Sequence, residues 1–347
     1  MQNNIEKERS YVFDYTTFAN KNIYAKINEL SSPDSFERNM IDTYLSKEIR
    51  IRHILYKKNI SSPEIILTTK YGSDKLEGRI ENNCNINHHI KYLLDPLKKL
   101  IVEKVRQNFK YKNFNISIDK VNSPLKLMIV EIESLDQSTP LELHKLLGSK
   151  EKFIECPLSA FEFFKRRIGI CGPPSSGKTE LSKSLSGLIN TRLGGSSIYC
   201  SEYCSEFICR YNRPPLPEEQ YIIFDEQQRR ENNILNRSNI VISDSPTFLP
   251  YLYQLLNCKK STSNKCNLFS LEKLYANTLL DTQNYTDIFL LQPQKIIDDG
   301  IRYNIAEEVE YIYEKICDFL YTHNLTYTIL KDRDPLNIIK QLFYING

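Results

Sequence analysis

The sequence predicts two domains in series, an antiparallel sheet domain followed by an α/β domain built on a parallel sheet. Up to about residue 135 the apolar residues alternate or fall in short runs, as in IEKERSYVF, EIRIRHIL, EIILTTKY, ISIDKV and LMIVEIES. Alternation marks strands that bury one face. Beyond Arg166 the texture changes to short apolar strands, RIGICG, SSIYC, NIVISD, DIFLLQP and TYTILK, separated by helical segments. That order is what a parallel sheet requires. A chain of 347 residues is long enough for two cores.

The first domain is expected over residues 1–165 and the second over 166–347. The segment QSTPLELHKLLGSKEKFIECPLSAFEFFKRR falls at the boundary, and its apolar content assigns it to the first domain. One helical stretch is expected among the early strands, from about Ile90 to Gln107. The formal charge of +3 is small, so no global basic field points to nucleic acid or an anionic membrane. No apolar run approaches the roughly 18 residues of a spanning helix, so the expectation is a cytoplasmic protein without a membrane span. Nine cysteines and five histidines show no zinc-like spacing.

RRIGICGPPSSGKTELSKSLSGL reads strand, glycine-flanked loop, helix, the context a G-x-x-x-x-G-K-T phosphate-binding loop needs. Gly172, Pro173, Pro174, Ser175, Ser176 and Gly177 form the loop, whose glycines permit amides to point at phosphate oxygens. Lys178 is placed for the β and γ phosphates, and the Thr179 hydroxyl for Mg²⁺. A second metal ligand is expected at Asp244, which ends the apolar strand NIVISD where open α/β sheets collect their ligands. YIIFDE offers Asp225 as a rival, but PLPEEQ before it and QQRRENNIL after it read as one continuous helix with Pro near its start. A nucleoside triphosphate with Mg²⁺ is therefore the expected ligand. ATP or GTP is left open, because no Asn-Lys-x-Asp signature is present.

This half resembles the P-loop family that includes the ribosylnicotinamide kinase domain of bacterial NAD regulators and related AAA-like modules. The resemblance rests on GPPSSGKT, SEYCSEF at Ser201 to Phe207, the glutamine-rich helix around Gln227, ISDS around Asp244, and DDGIR at Asp298 to Arg302. It implies that Glu202, Tyr203 and Glu206 face a phosphoryl acceptor, with Glu202 in the catalytic set. It also implies that Asp299, Gly300 and Arg302 belong to a lid over the triphosphate. Ser205 stands where the family often has arginine.

In the first domain, charged residues recur at alternate positions and so share a sheet face. The pairs are Glu6 with Glu8, Arg50 with Arg52, Arg79 with Glu81, Lys104 with Arg106, and Glu131 with Glu133, and Lys70 closes IILTTK. Carboxylates hold hard cations, and Arg and Lys neutralise polyphosphate. The ordered set IEKERS, TYLSKEIRIR, LTTK, GRIE, VEKVR, SID and VEIES resembles the CYTH family of triphosphate tunnel enzymes. The resemblance implies an eight-stranded antiparallel barrel in which Glu6, Glu8, Glu131 and Glu133 bind Mg²⁺ or Mn²⁺. Arg50, Arg52, Lys70, Arg79, Lys104 and Arg106 would hold the triphosphate, with Asp119 as a further polar member. Ser10 stands where that family carries a lysine, and Arg9 beside it points to the opposite face.

The expectation is thus an antiparallel tunnel barrel that binds and hydrolyses a triphosphate compound, fused to an α/β P-loop kinase or NTPase. Partners would be a nucleoside triphosphate, a second small phosphorylated or phosphoryl-acceptor substrate, and an RNA 5′-triphosphate end among the tunnel candidates. The rival is a nucleotide-regulated binding protein whose tunnel captures a polyphosphorylated ligand such as a phosphoinositide headgroup.

Overall fold

The computed structural model describes residues 4–30, 32–33, 37–56, 64–71, 79–134, 138–260, 267–293, 306–331 and 333–346. Asp298, Asp299, Gly300 and Arg302 lie outside the described residues. For Glu6 and Arg79 the backbone is described and the side chain is not. Contacts divide the chain into two compact units, one of Met1–Lys165, Ile189–Ser196 and Ile338–Gly347, the other of Arg166–Leu188 and Ser197–Asn337.

The first unit is one sheet of strands β1 (Asn4–Glu6), β2 (Glu8–Phe13), β3 (Ser32–Pro33), β4 (Arg38–Tyr44), β5 (Ile49–Tyr56), β6 (Glu64–Tyr71), β7 (Arg79–Asn85), β8 (Leu100–Tyr111), β9 (Phe114–Ser123) and β10 (Leu127–Ser134), with the C-terminal strand Ile345–Asn346 added to it. β1 pairs β7 at one edge and β2 pairs β10 at the other, both antiparallel. Residues 4–13 are one strand interrupted at Lys7, so this segment joins the two edges of the sheet. With β3 and the C-terminal strand set aside as additions, eight antiparallel strands run from one half of this segment round to the other, and the free edge of β2 is covered by the C-terminal strand. Short helices α1 (Tyr15–Asn20), α2 (Ile23–Leu30), α3 (His88–Leu94), α4 (Leu143–Leu146) and α5 (Ala160–Phe164) complete the unit. Phe18, Ile23, Ile27, Leu143 and Leu146 from these helices join Tyr11, Phe13, Phe109, Ile116, Ile118, Val130 and Ile132 in one core. The apolar face of the sheet is therefore turned outward to the helices, and the charged face is turned inward.

The helix expected from Ile90 to Gln107 is corrected. It stops at Leu94, and Leu100–Tyr111 is a strand. Pro96 cannot continue the hydrogen-bond ladder of a helix, and from Leu100 the burial alternates, with Leu100 and Val102 buried. Lys104 and Arg106 are thus strand residues with the same alternate spacing as Arg50 and Arg52.

The second unit carries strands β11 (Arg166–Cys171), β12 (Ser197–Cys200), β13 (Ile240–Ser243), β14 (Asp287–Leu291) and β15 (Thr328–Leu330), and the C-terminal strand of the first unit is β16. The five strands form a parallel sheet in the order β12-β13-β11-β14-β15. Helices α6 (Lys178–Arg192), α7 (Tyr203–Tyr211), α8 (Gln220–Leu235), α9 (Leu249–Lys260), α10 (Leu268–Thr282) and α11 (Ala306–Thr322) follow in sequence, the last turn of α6 and most of α12 (Pro335–Leu342) being grouped with the first unit. Every residue of β11 is buried, as befits a central parallel strand. The ends of β11 and β13 lie side by side, because Gly169 pairs with Ser243. That register brings the loop after β11 next to Asp244. The architecture is an antiparallel tunnel-type barrel followed by a parallel α/β P-loop fold. Among the described residues no helix is long and apolar enough to cross a membrane.

Candidate functional site

The loop after β11 adopts backbone angles that explain its composition. Gly172 has φ +152° and Gly177 φ +81°. A side chain at Gly172 would also meet the Leu291 carbonyl oxygen at 2.8 Å, so only glycine fits there. Ser175 holds φ +66° without being glycine, a conformation that costs on the order of 1 kcal/mol and concentrates at ligand clamps.

Lys178 Nζ donates to the Pro173 carbonyl at 2.9 Å, inside its own loop. Thr179 Oγ1 donates to Asp244 Oδ2 at 2.7 Å, and the Tyr199 hydroxyl donates to the same oxygen at 2.7 Å. Asp244 is 2 % exposed, and its Oδ1 is buried without a hydrogen-bond partner. Ser176 Oγ within the loop is likewise buried and unpartnered. Burial pushes the Asp244 carboxyl above its ordinary range against the pull of Thr179 and Tyr199, and nearby Glu202 adds to the rise. A divalent cation fits this donor set: a hydroxyl and a carboxylate with an orphaned oxygen are hard ligands of the kind Mg²⁺ takes, and a cation would lower that carboxyl.

Glu202 precedes α7 and is held close to Asp244. Its Oε1 accepts from Ser245 Oγ at 3.3 Å and its Oε2 from Ser205 Oγ at 2.6 Å. Ser205, which stands where the resemblance wants arginine, thus orients Glu202. Glu206 is placed differently: it accepts from Arg230, with Nη2 at 2.7 Å, and that guanidinium lies 4.8 Å from the Tyr203 ring. Glu206, expected to face an acceptor, is exposed and ion-paired with Arg230. Asp225 lies in the middle of helix α8, away from the strand-end position that Asp244 fills.

Arg333 was not anticipated from sequence. Its Nη1 donates to the Ser176 carbonyl at 2.7 Å and its Nη2 to the Gln292 carbonyl at 3.2 Å, so it ties the loop to the end of β14. More than 150 residues separate Arg333 from Ser176, and no local pattern marks it.

In the first unit, strand register places Glu8, Ser10, Asp42, Arg50, Arg52, Thr68, Lys70, Glu81, Lys104, Arg106, Asp119, Glu131 and Glu133 on one face of the closed sheet. Glu8 sits directly opposite Glu133, Lys70 opposite Glu81, and the backbone of Glu6 opposite that of Arg79. Arg9 lies on the other face, where it ion-pairs with Glu155.

Two buried carboxylates organise the basic row. Asp42, absent from the sequence reading, is fully buried and accepts from Arg52 Nε at 2.7 Å and Nη2 at 2.8 Å, with Lys104 at 3.5 Å and Arg50 at 4.0 Å. Asp119 accepts from Lys104 at 2.7 Å and from both Arg106 nitrogens at 2.6 Å. Burial raises both carboxyls, but the surrounding cations outweigh it: Asp42 is held well below the usual range and Asp119 falls to about 2. Lys70 pairs with Glu81 at 2.7 Å, and Arg106 also binds Glu131. A cavity of about 340 Å³ opens beside Arg50 and Arg52, with Glu64, Ile66, Thr68, Glu81, Asn83 and Asn85 on its walls. Burial raises the Glu133 carboxyl, and Glu8, Glu81 and Glu131 raise it further. Among the described residues no group of three or more His, Cys, Asp or Glu is gathered at metal-holding distance. Glu8 and Glu133 therefore offer a cation mutual repulsion to relieve, while Glu131 is already engaged by Arg106.

Residues 167–335 match the family model described as "AAA domain". No curated protein matches the sequence at a significant level. Among solved structures, the NadR protein in complex with NR is 19% identical, with 55% of this chain and 55% of that chain covered and a TM-score of 0.44. The inorganic triphosphatase NE1496 is 21% identical over 38% of this chain and 73% of that chain, with a TM-score of 0.21. A putative adenylate cyclase from Vibrio parahaemolyticus is 14% identical over 38% and 77%, with a TM-score of 0.26. The chain spans about half the length of the NadR chain it matches, 55%. By its own strand order, inner charged face and phosphate loop, the chain joins an antiparallel barrel of the tunnel type to an α/β P-loop unit.

Proposed function

We propose that residues 166–347 act as a Mg²⁺-dependent phosphotransferase that moves the γ-phosphoryl group of ATP to a small acceptor. In this reading Gly172 to Gly177 cradle the phosphates, Lys178 leaves the Pro173 carbonyl for the β and γ oxygens, and Thr179 and Asp244 hold the metal. Glu202, anchored by Ser205 and Ser245 beside Asp244, receives the acceptor hydroxyl. The single observation that carries this is the Thr179 to Asp244 hydrogen bond with the other Asp244 oxygen buried and unpartnered. Bound metal would supply charge neutralisation between the β and γ phosphates. Single-turnover product analysis with ATP and a nucleoside panel tests it: a phosphorylated nucleoside is the expected product, and ADP with phosphate alone would leave an NTPase instead.

For residues 1–165 we propose a divalent-cation-dependent phosphohydrolase acting on a triphosphate compound. The row Arg50, Arg52, Lys104 and Arg106, set by Asp42 and Asp119, would take the phosphate oxygens, and Glu8 with Glu133 the cation. What supports this is a closed sheet whose inner face carries both signs of charge, a cost that folding alone does not require.

A further inference from the structure

Arg333 lies past the end of β15 in sequence, yet its guanidinium sits against the phosphate loop that follows β11. We propose that Arg333 is a positioning residue for nucleotide binding, which holds the Ser176–Gly177 peptide so that the Gly177 N–H faces the phosphates. This role rests on the reading of Gly172 to Thr179 as a nucleotide phosphate site.

The geometry of one peptide carries the assignment. Arg333 Nη1 donates to the Ser176 carbonyl at 2.7 Å, and Nη2 donates at 3.2 Å to the carbonyl of Gln292, just past β14. The second bond anchors the guanidinium at the sheet edge, so the first pulls on the loop from a fixed point. The Ser176–Gly177 peptide is trans, and in a trans peptide the C=O and N–H point to opposite sides. Holding the carbonyl toward Arg333 therefore turns the Gly177 N–H away from it. Among the described residues nothing accepts from that N–H. Arg333 also packs on Gly177 itself, since a Cβ added there would lie 3.2 Å from Nη1.

The peptide needs such a hold because Gly177, at φ +81°, has the freedom to let it turn over. Turned over, the Ser176 carbonyl oxygen would face the phosphates and repel them. A bond from a charged guanidinium to that oxygen disfavours the turned state before any ligand arrives. Charge acts in the same direction. Among the described residues no carboxylate pairs with Arg333, and its hydrogen bonds go to two neutral carbonyls, so its charge adds to the field at the loop. Lys178 differs, because it holds the Pro173 carbonyl from within the loop and is read as leaving it for the phosphates. Arg333 comes from outside the loop and keeps its bond when the ligand is present.

Selective labelling of glycine for NMR tests this on the full chain, whose eleven glycines give a small set of amide resonances. The loop site is the MgATP site that is lost in Lys178→Ala. Arg333→Ala is expected to weaken MgATP there at least about tenfold, the scale of one hydrogen bond to a charged group. At saturation it should also reduce the downfield movement of the Gly177 amide proton that a phosphate hydrogen bond produces in the wild type. Arg333→Lys, which keeps the charge and can hold one carbonyl, is expected to recover most of the affinity. Circular dichroism checks folding; should Arg333→Ala not fold, Arg333→Gln, an uncharged donor, takes its place. Unchanged affinity with Lys178→Ala still impaired would overturn the proposal and leave the phosphate-loop reading intact. So would weakened affinity with an unaltered Gly177 resonance at saturation, which would make Arg333 a tie of the fold alone. A wild type without a MgATP site would overturn the phosphate-loop reading and the proposal with it.

Discussion

Thr179 Oγ1 donates to Asp244 Oδ2 at 2.7 Å, which joins the first turn of the helix after the phosphate loop to the end of the neighbouring strand. Register alone brings them together, since β11 and β13 are adjacent and parallel. Loop and strand end thus supply one hydroxyl and one carboxylate to the same point. The Asp244 Oδ1 left unpartnered beside them gives that point a negative charge that the fold does not satisfy by itself.

Lys178→Ala is expected to weaken Mg²⁺-dependent nucleotide binding by at least tenfold, or about 1.4 kcal/mol, because it removes the one ammonium held inside the loop. Titration calorimetry on the folded variant measures this. Unchanged affinity would mean that the loop binds phosphate through its amides alone.

Asp244→Asn is expected to lower turnover at least about tenfold, and far more than Asp225→Asn, because only Asp244 lies at the strand end where it can meet the metal. The pH dependence has a definite sign. The folded pKa of Asp244 is raised by burial first, then by Glu202, so the native state holds its proton at pH values where the unfolded chain has lost it. Stability of the nucleotide-free protein should therefore fall as pH rises from the ordinary aspartate value through the raised one. Mg²⁺ needs the carboxylate, so metal affinity should rise over the same window. Calorimetry across that window, wild type against Asp244→Asn, should show both slopes vanish in the variant.

Much of this was legible in the sequence, for reasons that particular residues make plain. NIVISD and RIGICG each hold a short apolar run, and their ends carry Asp244, the proposed metal ligand, and the phosphate loop. Alternation placed Arg50 with Arg52 and Glu131 with Glu133 on one face without any knowledge of pairing. What escaped depends on contacts between distant strands. Asp42 sits alone in RNMIDTY, where a single acid reads as a solvated position, and only pairing with β5 and β8 reveals that it neutralises Arg52 and Lys104. The Ile90 to Gln107 misreading came from treating a helix and a strand joined through Pro96 as one period. Ile345–Asn346 is too short for any pattern and becomes a strand only because β2 offers an edge.

Asp119→Asn should destabilise the first unit by about 3 kcal/mol, the lower end for breaking a buried ion pair, since Lys104 keeps Asp42 and Arg106 keeps Glu131. The thermal midpoint of that unit should fall by at least about 6 °C. Despite the burial that raises it, the Asp119 carboxyl is brought down to about 2 by Arg106 and Lys104. Its contribution is therefore complete above the ordinary aspartate value and is lost as pH falls through about 2. Unfolding midpoints of wild type and variant should differ at neutral pH and converge in strong acid.

The last prediction is phosphate release from a triphosphate compound by the first unit in the presence of Mg²⁺ or Mn²⁺. Four basic side chains are held in a row by two carboxylates, so they are already oriented before any ligand arrives, and a polyphosphate would exchange with those carboxylates rather than order free side chains. The cation would relieve the repulsion that, after burial, keeps the Glu133 carboxyl high beside Glu8, Glu81 and Glu131. Metal affinity should accordingly decline with falling pH earlier than for an ordinary glutamate pair. The assay needs the full chain, because Asn346 donates to the Val12 and Ile154 carbonyls at 3.0 Å and a fragment ending at 165 would lose that strand. Lys178→Ala silences the phosphate loop, and Glu8→Gln with Glu133→Gln is added to it as the comparison. Inorganic triphosphate, ATP, thiamine triphosphate and triphosphorylated RNA are each offered with Mn²⁺. Release from at least one of them should fall at least about tenfold when the two glutamates are changed, as expected for loss of the metal that polarises the phosphoryl group. If none is cleaved above that comparison while triphosphate still binds, the inner face is a receptor and the hydrolase reading fails.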